Sequence, residues 1–181
     1  MKINEIETPA LILDKQTFEY NLKRMDQLLE GTTMKLRPHY KSNKCAEIAK
    51  LQIKRGAAGI TCAKLGEAED LANAGIENIL IANQVVQPSK VKRVAEIAKD
   101  HYIIICVDDK DNIKALSDAA VEAGSQIHVL VEYEVGMKRC GVDTYDEFIE
   151  LAELIDKSEG LIFEGIQAYG GHMAHEHSLE T

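Results

Sequence analysis

The sequence predicts an α/β protein built on a parallel sheet, and three observations carry that expectation. Short β-branched runs alternate with longer segments whose apolar residues recur three and four positions apart. Two of the runs, Ile103 to Val107 and Ile79 to Ala82, are apolar without alternation, the pattern of strands covered on both faces. Gly31, Gly56, Gly75 and Gly124 follow helical patterns where a left-handed residue closes the last turn, and Pro88 stands where a first helical turn accepts it.

In chain order, an element over Pro9 to Asp14 precedes a helix expected from about Lys15 to Glu30. The first strand is expected over Lys35 to Lys41, followed by a helix carrying Ile48, Leu51 and Gln52. Further strands are expected at Gly59 to Cys62, Ile79 to Asn83, Ile103 to Val107, Ile127 to Glu132 and Phe163 to Tyr169. Phe148, Leu151, Ala152 and Ile155 mark the helix before the last of these, and Thr144 and Glu147 have the spacing of a capping box at its start. The strand starts recur about every 26 residues, and eight such units match the usual length of a (β/α)8 barrel. Two architectures therefore fit six parallel strands: an open doubly wound sheet, or a (β/α)8 TIM-type barrel cut off after its sixth strand. No Gly-x-Gly-x-x-Gly follows any strand, so the dinucleotide signature that would favour the open sheet is missing.

A length of 181 residues with 45% apolar content suits one domain over residues 1–181. With 30 acidic against 21 basic residues and a formal charge of −9, the composition argues against nucleic acid as a partner. The apolar runs are too short to span a bilayer, and the polar amino terminus does not resemble a secretory signal, so a cytoplasmic protein is expected. Cys45, Cys62, Cys106 and Cys140 have no zinc-type spacing and read as reduced, buried thiols.

One stretch departs from this acidic background. Gly31 to Ala46 contains no acid, yet holds Lys35, Arg37, His39, Lys41 and Lys44. On a strand Arg37, His39 and Lys41 share one face and Leu36, Pro38 and Tyr40 the other. If the apolar face packs under the helices, the basic face turns inward, where burying cations is costly unless an anion compensates them. Lys41 stands at the carboxyl end, where α/β folds place their chemistry, and like charges around a lysine favour the free amine that attacks a carbonyl. A solvated basic loop is the alternative reading of the same residues.

The other expected strand ends bring polar groups to the same rim: Thr61 and Cys62, Asn83 and Gln84, Asp108 and Asp109, Glu132, and the segment from Tyr169 to His172. Gly136 and Gly141 bracket a loop that presents Arg139, whose guanidinium suits a phenolate or carboxylate; a surface turn with solvated bases fits the loop equally. His172, His175, Glu176 and His177 invite a metal reading, but no periodicity aims them at one point. No metal ligand is assigned from them, and His172 alone is retained as a site residue.

The residues Thr8 to Asp14, Arg37-Pro-His-Tyr-Lys-Ser-Asn-Lys44, Gly66 to Glu69 with Ala74 to Ile76, Glu132 to Gly136 with Arg139 to Val142, and Gly165 to Tyr169 with Gly171 and His172 resemble the D-threonine aldolase and D-serine dehydratase family. Its members are fold-type III pyridoxal-phosphate enzymes with an alanine racemase-type N-terminal barrel. The resemblance implies that Lys41 forms the Schiff base with pyridoxal 5'-phosphate, that Arg139 lies near the cofactor's phenolic oxygen, and that Tyr169 with Gln167 lies by its ring. His39 would face the substrate or support the site, with His172 nearby. It further implies a lyase that cleaves D-threonine-like D-3-hydroxy amino acids to glycine and an aldehyde. D-serine dehydratase is the alternative within the family, and a non-catalytic pyridoxal-phosphate carrier the alternative outside it. The family's divalent metal would take its ligands from a β-rich C-terminal domain outside this chain. On this resemblance residues 1–181 form an incomplete barrel domain, expected to turn over little substrate alone; a small-molecule D-amino acid is the expected partner, and a homodimer is allowed.

Overall fold

The computed structural model describes residues 2–175; Glu176 and His177, and the side chain of His175, lie outside the described residues. The chain divides into two compact units, residues 1–35 and 36–181.

In the first unit, Ile3–Glu5 form one 3-10 turn and Lys15–Leu29 form helix α1. Asp14 caps α1 by accepting a hydrogen bond from the Thr17 amide at 2.7 Å, which satisfies one of the free donors of a helix start. Pro9 to Asp14, expected as an element, has no regular structure.

The second unit alternates helices and strands: α2 (Ala46–Lys54), β1 (Ile60–Cys62), α3 (Leu65–Asn73), β2 (Asn78–Ile81), α4 (Pro88–Ile97), β3 (Tyr102–Val107), α5 (Lys110–Ala123), β4 (Ile127–Glu132), α6 (Tyr145–Asp156) and β5 (Leu161–Gln167). All five strands are parallel and neighbour one another in chain order, the arrangement of a partial (β/α) barrel. The expected helix signals are seated: Pro88 opens α4, Gly124 closes α5 at φ 69°, and Thr144 with Glu147 forms the capping box of α6.

The expected first strand is not formed. Residues 36–40 run beside β1, where Ala58 N–H donates to the Leu36 carbonyl (2.9 Å), Thr61 N–H to Pro38 (2.8 Å) and Tyr40 N–H to Thr61 (2.7 Å). Only His39 and Thr61 make a true bridge, because Pro38 has no amide hydrogen to continue the ladder. The last strand also begins two residues earlier than the sequence suggests and ends at Gln167, leaving Tyr169 in the following loop.

Burial separates the two faces of the sheet. Ile79, Ile81, Ile103, Ile105, Ile127, Val129 and Val131 pack with the helices in the main core. On the opposite face Leu80, Ile104 and Cys106 make a second, smaller cluster with Ala82 and Leu130 packed against it. Below that layer, at the amino-terminal ends of the strands, the same face is polar. Arg37 Nη1 donates to Asn78 Oδ1 at 2.6 Å, Tyr102 donates to Glu164, and His128 Nδ1 lies 2.6 Å from Glu164 while its ring stacks on Tyr102. Glu164 is the residue without a partner where the β4–β5 register shifts, and the bulge turns its carboxylate to this face. Burial and the Glu164 carboxylate push the Tyr102 phenol up to about 12.

Candidate active site

At the carboxyl ends of the strands a cavity of about 250 Å3 opens above the small apolar cluster. His39, Lys41, Arg139, Gln167 and Tyr169 all line it, so five of the six residues expected from sequence meet at one place. Thr61, Asn83 and Glu132 join them, and Leu80, Ala82 and Ala63 supply the apolar walls.

Lys41 sits just past the bridged segment, in a turn, and is exposed. Its amide donates to His39 Nδ1 at 3.2 Å. An acceptor nitrogen there requires neutral imidazole with its hydrogen on Nε2. The electrostatics agree: burial, and then the charge of Lys41, hold the His39 pKa below its ordinary value despite an opposing pull from Glu67. The turn is tied down beyond Lys41, where Lys44 at φ 46° pairs with the buried Glu67, whose other oxygen accepts the Ala63 amide at 2.8 Å.

The loop after β4 supplies Arg139. It is built on Glu134, whose carboxylate accepts the amides of Gly136 and Arg139. Gly136 and Gly141 have φ of 116° and 101°, values that favour glycine, so the bracketing glycines expected to shape this loop do so. The Arg139 guanidinium lies 4.8 Å from the centroid of Tyr169 and 3.8 Å from Glu132. A buried carboxylate and a ring face therefore both support it.

Glu132 is the residue that sequence reasoning undervalued. Placed on the rim but given no role, it is buried in the cavity wall, where it accepts from Gln84 Nε2 (2.7 Å) and the Cys140 thiol (3.1 Å). The alternation Leu130, Glu132 on a covered strand was its available signal. Cys140 is consequently not the small buried hydrophobe expected: it is half-buried and hydrogen-bonded, and burial and the adjacent carboxylate raise its pKa and keep it a donor. Cys62 and Cys106 are buried, and burial pushes the Cys62 thiol up to about 12.

His172 falls outside the cavity lining. It packs on the loop, where a Cβ at Gly136 would come within 2.9 Å of its imidazole. Among the described residues, no group of three or more His, Cys, Asp or Glu side chains is placed to hold a metal ion, and no helix is long and apolar enough to cross a membrane.

Comparison with known proteins gives a consistent outcome. The model of the alanine racemase N-terminal domain matches residues 13–181. A D-threonine aldolase of Arthrobacter sp. is 42% identical over 97% of this chain and 46% of its own length. A 3-hydroxy-D-aspartate aldolase of Paracoccus denitrificans is 39% identical over 99% of this chain and 47% of its own. The crystal structure of D-threonine aldolase from Filomicrobium marinum superposes with a TM-score of 0.92 at 42% identity, covering 96% of this chain and 47% of that one. The chain thus spans about half the length of the relatives it matches.

Proposed function

We propose that this chain, which belongs to the alanine racemase N-terminal domain family, binds pyridoxal 5'-phosphate on Lys41 and serves retro-aldol cleavage of D-3-hydroxy amino acids to glycine and an aldehyde. The observation that carries the reading is the meeting of Lys41, His39, Arg139, Gln167 and Tyr169 around one cavity. Aldolases of D-threonine and of 3-hydroxy-D-aspartate among its relatives support the reaction class.

The donor set fits such a cofactor. A lysine amine and a guanidinium provide positive charge for an anionic ligand, while Leu80 and Ala82 give an apolar wall for a flat ring. When bound, pyridoxal phosphate supplies an aldehyde that takes an amine and a ring that withdraws electrons from the substrate's Cα. Lys41 Nζ is the amine that holds it. Arg139, braced by the Tyr169 ring and Glu132, presents its fork of donors to a negatively charged oxygen. His39, neutral and accepting at Nδ1, has its hydrogen on Nε2 and acts as a donor rather than a base. In the cleavage the substrate's β-hydroxyl loses its proton, the Cα–Cβ bond breaks, the β-carbon leaves as the aldehyde, and Cα regains a proton as glycine. The divalent metal that the resemblance implies has no ligand set among the described residues, and no step is assigned to it.

An absorbance spectrum with added pyridoxal phosphate tests the central assignment. A lysine-bound band in the wild type that disappears in Lys41→Ala is expected; a band that survives the substitution overturns it. Product analysis of the little turnover expected separates the reaction classes, with acetaldehyde and glycine from D-threonine expected, and pyruvate and ammonia from D-serine marking a dehydratase instead.

A further inference from the structure

We propose that Arg37 is a positioning residue that sets the place of Lys41 by clamping the lysine-bearing segment to Asn78, across Gly59. The inference rests on the reading of Lys41 as the cofactor lysine and adds a role for the one charged residue of the Arg-Pro-His-x-Lys element that the cavity does not use.

The segment's backbone pairing is sparse, and a side-chain clamp adds to it. With Pro38 in its middle, it makes a single bridge to β1 instead of a ladder, and Lys41 lies two residues beyond that bridge. Among the described residues, the Lys41 amide finds its partner in the neighbouring His39 ring. Three backbone hydrogen bonds, at Leu36, Pro38 and Tyr40, set how far along β1 the segment sits, and a slip that broke them would carry Lys41 out of the cavity.

Arg37 adds a long-range constraint to these few bonds. Its Nη1 donates to Asn78 Oδ1 at 2.6 Å, joining residues 41 apart in sequence. Asn78 begins β2 and is in register with Tyr102 of β3, so the anchor belongs to the interior of the sheet rather than to its margin. To reach it, the guanidinium crosses the chain just ahead of β1, at Gly59. A Cβ there would overlap Nη1 and lie 2.6 Å from both the carbonyl and side-chain oxygens of Asn78. Glycine at 59 is thus the opening through which the clamp passes. The contact lies at the amino-terminal end of the strands, opposite the cavity, and Arg37 is not among the cavity's lining residues. It acts on Lys41 through four residues of chain and touches no ligand. Of the basic face expected to gather around one anion, His39 and Lys41 reach the cavity and Arg37 does not.

Hydrogen exchange on the cofactor-free chain reads the clamp directly, and pyridoxal phosphate binding reads its consequence. Arg37→Ala and Asn78→Leu are expected to speed exchange of the Tyr40 and Lys44 amides about tenfold, the scale of a lost charge-assisted hydrogen bond, and to leave Ile105 and Val131 unchanged. The double variant should exchange no faster than either single one, and Asn78→Asp, which keeps an acceptor, should stay slow. The dissociation constant for pyridoxal phosphate should rise about tenfold in Arg37→Ala and Asn78→Leu, again the scale of one such bond. Equal acceleration across the sheet, or an affinity within twofold of wild type, overturns the proposal, since a merely structural residue lowers stability without moving Lys41. Should the wild type take up no pyridoxal phosphate, the functional reading fails, and the exchange pattern still decides whether Arg37 holds the segment.

Discussion

Arg139 and Tyr169 are stacked, the guanidinium carbon 4.8 Å from the ring centroid, although one follows β4 and the other β5. The stack is what gives a long, half-exposed side chain one orientation over the cavity. Removing the ring face in Tyr169→Leu should cost about 1 kcal/mol of that support, read as a several-fold weaker hold on pyridoxal phosphate. Tyr169→Phe keeps the face and should bind as the wild type does. A phenylalanine variant as weak as the leucine one would transfer the role to the hydroxyl.

His39 should titrate below the usual histidine range. Burial is the larger cause and the Lys41 charge the next, so Lys41→Gln should raise the His39 pKa without restoring it fully. The sign follows from a depressed base: the neutral ring, with Nδ1 free to accept from the Lys41 amide, prevails above the folded value, and acidification through that value breaks the contact. Imidazole resonances followed by NMR against pH measure both quantities. An unchanged midpoint in Lys41→Gln would separate the two residues electrostatically.

The capping box of α6 gives a pH test of stability away from the site. The Thr144 hydroxyl, then the Thr144 and Asp143 amides, hold the Glu147 carboxyl below its ordinary value of 4.5. Because the folded value is the lower one, the contribution is whole above the ordinary value and disappears as pH falls through the folded one. The difference in thermal midpoint between wild type and Glu147→Gln should therefore shrink on acidification. Thr144→Ala should cost about 1 kcal/mol at neutral pH, as loss of an N-cap does.

The sequence was most legible where local chemistry and burial agree. Ile127 to Glu132 folds as the strand expected, and Thr144, Pro88 and Gly124 punctuate helices as their chemistry requires. Legibility failed where one residue breaks a pattern. Pro38 sits within an alternating run that reads as a strand, yet its missing donor reduces that run to a bridge. Glu164 lies in the apolar sequence of β5, and nothing in the spacing announces the bulge that places it beside Tyr102 and His128. Lys41, Arg139 and Tyr169 were legible because strand ends and the loops after them gather at one rim, whereas Gln167 was legible through the family resemblance alone. The tie between Glu132 and Cys140, eight positions apart across a loop, depends on a path that glycines at 136 and 141 permit but do not specify.

That tie leads to a last expectation. Glu132 is buried, and three donors from two loops converge on it: Gln84 Nε2 at 2.7 Å, the Cys140 thiol at 3.1 Å and the Arg139 guanidinium at 3.8 Å. Glu132→Leu fits the apolar neighbourhood of Leu130 but leaves the part-buried Gln84 without its acceptor, a loss of about 1 kcal/mol for one hydrogen bond. Glu132→Gln keeps the shape and one acceptor oxygen while removing the charge that faces Arg139. Both should weaken pyridoxal phosphate binding through a looser Arg139, and the leucine variant alone should show a clear drop in thermal midpoint. Equal melting of the two variants would mean that the charge, not the hydrogen bonds, is what Glu132 contributes to the wall.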